Sequence, residues 1–478
     1  MLTYPLTKIF SRSLAEGVFP EKWKMSYVCP IFKQGDRGCI KNYRPVSPMC
    51  SLSSIFENVI YSKLIEKVKN KITSKQHGFM PGKSVVTNLM QLSIQVTSAL
   101  QNGSQVDAVY LDLSKAFDSV NHQILLGKLE GFGFGKTMIK WFKSYFQNRI
   151  QTVVVNGNES EPIIATSGVA QGSRLGPILF AIFINDLVKV VKYSDIEMFA
   201  DDCRLSIIVA EPQDAMKLQA DINSVTNWID DNKLQINELK CQKISFSRKS
   251  DILNFVYRIK NAAVVEVEKV KDLGIVLDQK WSFDEHLSNI IAKSFKTIGF
   301  IKRISYSFSS LDTIVYLFKS LVLPNLNYGS IIWAPYKKKD FDALDGVIKR
   351  FLRYASFKAG KPMKFYEHDY KDISKKCNIY NMESVLKMND LCFILDNLKN
   401  RIITPQFNDL FRKRSEIYDL RNYRPFEEEL HKSDYLNHAP THRLARTWNT
   451  LSREDRELLM NMEGGEKTKL KCDILKLF

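Results

Sequence analysis

Ile196-Glu-Met-Phe-Ala-Asp-Asp-Cys-Arg-Leu-Ser-Ile-Ile-Val209 reads as two apolar strands, 196–200 and 203–209, joined through Asp201-Asp202, so that carboxylates sit at the tip of a hairpin. A third apolar strand, 106–113, carries Asp112 near its end. An acid that closes an apolar strand is costly unless a partner or a metal takes up its charge. Phosphoryl transfer uses such acids: hard cations, held by a few convergent carboxylates on rigid backbone, stabilise charge on the phosphate oxygens and help deprotonate the nucleophile. Magnesium takes one or two protein carboxylates and leaves its other positions to water and phosphate. The same sequence supplies a control in Asp230-Asp231, which follows the helical Trp228-Ile229, precedes Asn232-Lys233 and reads as a solvated helix end.

Outward from the hairpin, strand and helix signals alternate over about 106–280. Helices are expected at 121–130 and on the face carrying Ile139, Phe142 and Phe146. A strand at 151–155 meets Asn156-Gly157, a hairpin turn signal, and returns at 162–167. A long helix follows over 175–191 and another over 212–230, then strands at 243–247, 254–260 and 271–278. Beyond about 283 apolar residues recur at three and four spacing over 284–304, 310–322 and 341–354, with basic residues between them. A sheet-bearing core followed by a helical module is α+β architecture.

The chain has 478 residues, more than one compact core holds, so two to four structural units are expected. Its 69 Lys and Arg against 52 Asp and Glu give a net charge of +17, which suits a polyanionic partner. The longest notable apolar run, 178–184, is far short of a membrane span and reads as a buried helix. The first residues contain no apolar stretch with a cleavage site, and the expectation is an intracellular protein of nucleus and cytoplasm. None of the 8 cysteines forms a C-x-x-C pair, which gives no support to a zinc finger or a redox motif and leaves reduced, mostly packed thiols as the default. Gly82-Lys83-Ser84 is no phosphate-binding loop, because Gly78 to Gly82 encloses three residues where four are needed and no strand precedes it.

Several blocks in order resemble one family. Val109-Tyr-Leu-Asp-Leu-Ser-Lys-Ala-Phe-Asp-Ser-Val120 and Phe199-Ala-Asp-Asp202 are similar to the two acid-bearing blocks of non-LTR retrotransposon (jockey-like, LINE-type) reverse transcriptases. Between them, Gly168-Val-Ala-Gln-Gly-Ser-Arg-Leu-Gly-Pro177 resembles the block that lies against template and nucleotide, with Ala170 where the family often has Pro. Upstream, Trp23-Lys24, Val28 to Arg37, Asn42-Tyr-Arg-Pro-Val-Ser47 and Gln76-His-Gly-Phe79 resemble fingers motifs. Downstream, 234–240 and Val270 to Asp278 resemble the blocks that finish the palm, and Trp448-Asn449 is similar to a distal segment of jockey-type elements.

The resemblance implies a right-hand polymerase with an antiparallel palm sheet: partial fingers at 1–100, palm at 101–280, a helical thumb at 281–360, and a C-terminal helical region of unknown role at 361–478. It implies that Asp112, Asp201 and Asp202 bind magnesium, with manganese as a substitute, and that the Leu113 carbonyl adds a ligand. It sets Phe117 against the sugar 2′ position, Lys33 and Arg44 on the triphosphate, and Gln171, Gly172 and Ser173 beside the nucleotide, with Ser173 also capping the next helix. Lys240 becomes the general acid for pyrophosphate, and Leu273 and Gly274 the primer grip. The implied activity is RNA-directed DNA synthesis from a DNA 3′-hydroxyl, with RNA template, DNA primer or target and deoxynucleoside triphosphates as partners. Family proteins usually carry an endonuclease domain and further fingers sequence ahead of the point where this chain begins. That motivates a second expectation, a truncated, non-catalytic nucleic-acid-binding remnant.

Overall fold

A computed structural model describes residues 2–361, 369–402, 407, 410–412, 414, 424–429, 431, 433–461 and 474. The chain divides into two compact units, one formed by Met1–Ser84, Asp107–Lys243 and Leu253–Val267, the other by Val85–Val106, Ile244–Ile252 and Glu268–Phe478. It is α+β, as expected. No helix among the described residues is long and apolar enough to cross a membrane.

The acid-bearing sheet has five strands in the order Val265–Glu266, Gln242–Phe246, Gln105–Leu111, Asp202–Val209, Asp195–Phe199. The last two form the antiparallel hairpin expected from sequence, with Phe199 opposite Asp202. The short edge strand Val265–Glu266 instead runs parallel to Gln242–Phe246. Strand Gln105–Leu111 is buried along nearly its whole length, with the buried Asp107 satisfied by the Tyr257 hydroxyl at 2.7 Å. The helix Gly176–Ile184 is almost wholly buried because it is apolar on every face, and it packs on the helix His122–Gly131. A second sheet joins Met25–Phe32 to Tyr43–Val46 and, in parallel, to Arg149–Val155. Phe19, Phe56, Trp141 and Tyr145 lock the neighbouring helices through edge-to-face contacts, with Phe19–Trp141 centroids at 5.4 Å and Phe56–Trp141 at 5.5 Å.

In the second unit helices Asp284–Ile304, Leu311–Leu321 and Lys338–Lys358 pack together, with Phe318 stacked on Phe351 at 3.9 Å. Helix Met382–Leu398 packs on Pro440–Asn449, where Arg443 grips buried Asp390 at 2.8 and 3.1 Å. Helix Val85–Gln101 belongs to this unit and contacts the same Pro440–Asn449 helix.

Three elements differ from the sequence reading. The helix expected over 175–191 ends at Ile184 and continues as the 3-10 turn Asn185–Val190. There Asn185 turns aside to accept the Thr73 N–H at 2.7 Å, and Asp186 pairs with Lys128 at 2.8 Å. The strand expected over 254–260 shrinks to Arg258–Ile259, because the Phe255 carbonyl is taken by Lys243 and the Tyr257 hydroxyl by buried Asp107 at 2.7 Å. The strand expected over 271–278 is a hairpin, Lys269–Asp272 with Ile275–Asp278, since Leu273 and Gly274 both have positive φ. Of the seven described cysteines, Cys203, Cys241 and Cys377 are buried, whereas Cys29 and Cys50 are exposed, so packing of the thiols is only partial.

Candidate active site

The hairpin turn that carries the acids is two residues long, and its first residue, Ala200, adopts φ 57°. That left-handed conformation is unfavourable for a residue with a Cβ and needs support from its surroundings. Gln76 supplies it. Its side-chain carbonyl accepts the Ala200 N–H at 2.9 Å and the Gly78 N–H at 2.8 Å, and its amide donates to the Ala200 carbonyl at 3.3 Å. Residues 75–77 run alongside the hairpin as an added partner, with Met198 N donating to the Lys75 carbonyl at 2.9 Å and His77 N donating to the Met198 carbonyl at 2.8 Å. His77 also meets buried Glu197 at 3.0 Å. A Cβ on Gly78 would stand 2.3 Å from Ala200 N, so only glycine lets this segment approach the turn. Lys83 turns its amine onto the Ser74 and Gln76 carbonyls, and burial lowers that amine to about 8. The lysine is thus a brace for the 74–76 backbone, in keeping with the rejection of a phosphate loop.

Asp201 and Asp112 interact. Burial pushes the Asp201 carboxyl above its ordinary range and the charge of Asp112 pushes it further, while Arg44 and Lys33 draw it down. Two expected triphosphate contacts therefore lie within electrostatic reach of the acids, and both side chains are exposed. Asp112 is fixed through its backbone: its carbonyl accepts the Asn237 N–H at 2.8 Å, and its N–H points at Cys241 Sγ at 3.5 Å. Lys240 Nζ lies 3.8 Å from Asp112 Oδ2 on an exposed side chain. The Leu113 backbone bridges Ile236. Asp202 opens the second hairpin strand and is exposed. Among the described residues, the oxygens of Asp112, Asp201 and Asp202 do not all fall within 4.8 Å of one another. The donor set nevertheless suits hard cations: carboxylate oxygens only, one of them desolvated and opposed by a like charge that a cation would relieve. Asp230, in contrast, is exposed and pairs with Lys260 at 2.9 Å, as a solvated helix end should.

Around the acids, Phe117 is half-buried, stacked on Phe180 at 4.6 Å and edge-on to Phe79 at 6.4 Å. The Gln171 side-chain amide donates to both oxygens of Asp118 at 2.9 and 3.0 Å, and the Gln171 backbone carbonyl accepts the Ser47 N–H at 2.7 Å. Gly172 has φ 121°, and a Cβ there would stand 2.7 Å from the Ser47 carbonyl. Ser173 Oγ accepts the N–H of Gly176, the first residue of the buried helix, although the N-cap position itself falls on Leu175, which makes no side-chain cap bond. Buried Glu57 accepts from Arg174 N at 2.7 Å and Tyr145 Oη at 2.9 Å, anchoring this loop from beneath. In the second unit Leu273 and Gly274 form the hairpin turn, and Tyr328 Oη donates to the Leu273 carbonyl at 2.8 Å.

Residues 31–285, more than half of the chain, match the family described as reverse transcriptase (RNA-dependent DNA polymerase), and the match includes all three acids. The chain belongs to the reverse transcriptase family. Its relatives are of the non-LTR retrotransposon type. The RNA-directed DNA polymerase from mobile element jockey of Drosophila melanogaster is 28% identical over 73% of this chain and 40% of its own length. The probable RNA-directed DNA polymerase from transposon BS of the same species is 26% identical over 73% and 40%. This reverse transcriptase chain spans about 40% of the length of these curated relatives. Among solved structures, telomerase from Candida tropicalis in complex with a fragment of telomeric RNA aligns with 84% of this chain and 62% of its own at 12% identity and TM-score 0.43.

Sequence reasoning missed Glu57 and Asp118 as supports of the 171–174 loop, and it quoted Gln76 only as part of a motif. Gln76→Ala would strand two polar backbone atoms of Ala200 and free its strained turn, at a cost of about 1–3 kcal/mol for each group left unpaired. Nucleotide addition by Gln76→Ala is expected to slow about tenfold or more, with RNA affinity kept. Single-turnover extension beside a binding titration measures both.

Proposed function

We propose that this chain is the RNA-directed DNA polymerase of a non-LTR retrotransposon, adding deoxynucleotides to a DNA 3′-hydroxyl on an RNA template. The observation that carries the reading is the braced turn bearing Asp201 and Asp202, with Asp112 in electrostatic contact and Lys33, Arg44 and Lys240 around it.

In this reading Asp112, Asp201 and Asp202 hold magnesium, or manganese in its place, with the Leu113 carbonyl as a further donor. When bound, the divalent ions offset charge on the transferred phosphoryl group and lower the pKa of the attacking hydroxyl. The primer 3′-hydroxyl gives up its proton to solvent water and its oxygen forms a bond to the α-phosphorus as the bond from that phosphorus to the bridging oxygen breaks, and pyrophosphate leaves with that electron pair. Lys240, mobile at the rim beside Asp112, delivers a proton to the departing pyrophosphate. Lys33 and Arg44 neutralise the triphosphate. Phe117 presents its free edge to the sugar, while Gln171, Gly172 and Ser173 form the surface beside the base. The Leu273-Gly274 turn guides the primer strand. The fingers fall within 1–100, the palm within 101–280 and the thumb within 281–360, with a further helical region over 361–478 whose helix Pro440–Asn449 packs on Val85–Gln101.

Incorporation of deoxynucleotides on an RNA template primed with DNA, dependent on magnesium or manganese and stopped by a chelator, is the expected outcome. A protein that binds RNA but incorporates nothing under any of these conditions belongs to the non-catalytic alternative. Binding should also weaken steeply with salt, since a chain of net charge +17 gripping phosphates displaces counterions. Between about 50 and 200 mM salt, six or more phosphate contacts predict at least about a thousandfold loss of affinity. A flat response would remove charge as the main grip.

A further inference from the structure

A second cluster of ligand-type side chains lies in the C-terminal helical region. Glu429, His431 and His442 each offer one donor atom, and all three atoms lie within 4.8 Å of one another. His431 Nε2 is 3.0 Å from His442 Nε2 and 3.8 Å from a Glu429 carboxylate oxygen. From these contacts we propose that Glu429, His431 and His442 bind a zinc ion.

The spacing fits. Nitrogen and oxygen ligands at zinc's usual bond lengths in a tetrahedron lie roughly 3.3–3.5 Å apart, and the two observed separations bracket that value. A shift of a few tenths of an ångström in side chains, with no change of backbone, turns the nitrogen pair into two ligands. Two imidazoles and a carboxylate are a donor set that zinc takes, with water in the fourth position. The harder ions suited to Asp112, Asp201 and Asp202 prefer oxygen alone.

The two histidines are also held by their surroundings, as metal sites require, while Glu429 is exposed. The Asn437 side chain clamps the backbone of His431 on both sides, accepting its N–H at 2.8 Å and donating to its carbonyl at 2.7 Å. His442 lies in the first turn of Pro440–Asn449, which Arg443 anchors to Asp390 at 2.8 Å and to the Ile331 carbonyl at 2.7 Å. Next to Glu429, Glu428 accepts from Asn449 at 2.7 Å. Besides the ligands themselves, the charged group acting on His442 is Arg446, one helical turn away, whose own partner Glu428 lies 4.0 Å from it. Bound there, zinc would tie the 424–431 segment to the helix that carries Trp448. This staple is independent of the polymerase reading.

The test uses the full chain without a histidine tag, stripped with a chelator and titrated with Zn2+ in magnesium-containing buffer, with metal content measured after gel filtration. About one tightly held zinc per chain is expected, lost in His442→Ala and in His431→Ala and retained in Asp112→Asn. Zinc retained equally by the two histidine variants, or by none of the proteins, overturns the site. Should the alanine variants fail to fold, Co2+ added to the unmodified chain gives the answer: intense visible bands of a tetrahedral nitrogen-ligated ion support the site, and their absence at saturating cobalt overturns it.

Discussion

Asp112→Ala and Asp202→Ala should each slow nucleotide addition at least about a hundredfold, a loss of roughly 2.7 kcal/mol of transition-state stabilisation. Both residues are half-buried or exposed, so truncating them removes charge from the site without opening a cavity. The backbone of Asp112 stays pinned by Asn237 whatever its side chain, which keeps the strand end in place. RNA affinity is therefore expected to survive both changes, because the phosphate grip is spread over many lysines and arginines. Single-turnover extension with parallel RNA-binding titrations reads the two quantities separately. Loss of binding together with activity would mean that the acids act through the fold.

Phe117→Val should raise the use of ribonucleotides relative to deoxynucleotides by about tenfold or more, equivalent to about 1.4 kcal/mol of lost discrimination. A ring that fills the space of a 2′-hydroxyl excludes the wrong sugar sterically and leaves the right one alone. The ring is held by its partners: Phe180 backs one face at 4.6 Å, Phe79 meets it edge-on, and part of it remains accessible. Those contacts also supply the competing account. Removing a fully buried aromatic costs about 3–5 kcal/mol, and a purely structural Phe117 would lose stability and harm both substrates alike. The ratio of the two incorporation efficiencies separates the accounts, because a folding defect cancels from it. A folded Phe117→Val with an unchanged ratio would leave the residue as packing.

The hairpin at 195–209 was legible in sequence because its two apolar runs and adjacent acids are local. Burial of 178–184 was equally legible from composition. What could not be read are the contacts that close over long stretches of chain. Gln76 meets Ala200 across 124 positions, and nothing near Gln76 reveals that its amide holds a turn. Glu57 is one acid in an ordinary helical stretch until the fold brings Arg174 and Tyr145 to it. The reading of 271–278 as one strand failed at Leu273-Gly274, where two successive residues at positive φ turn the chain back on itself although Gly274 is a turn signal. The helix over 175–191 was overextended because the side chains of Asn185 and Asp186 are claimed by Thr73 and Lys128 from elsewhere in the chain.

RNA-templated DNA synthesis is proposed to rest on the hairpin acids. Its most direct test is extension of a DNA primer annealed to RNA by the unmodified chain and by Asp201→Asn, which keeps the size of the side chain and removes its charge. The account predicts template-dependent, magnesium-dependent extension by the unmodified chain and at least about a hundredfold less by Asp201→Asn, with equal affinity for the primed template. Equal extension by the two proteins, or none by either while both bind, would contradict it.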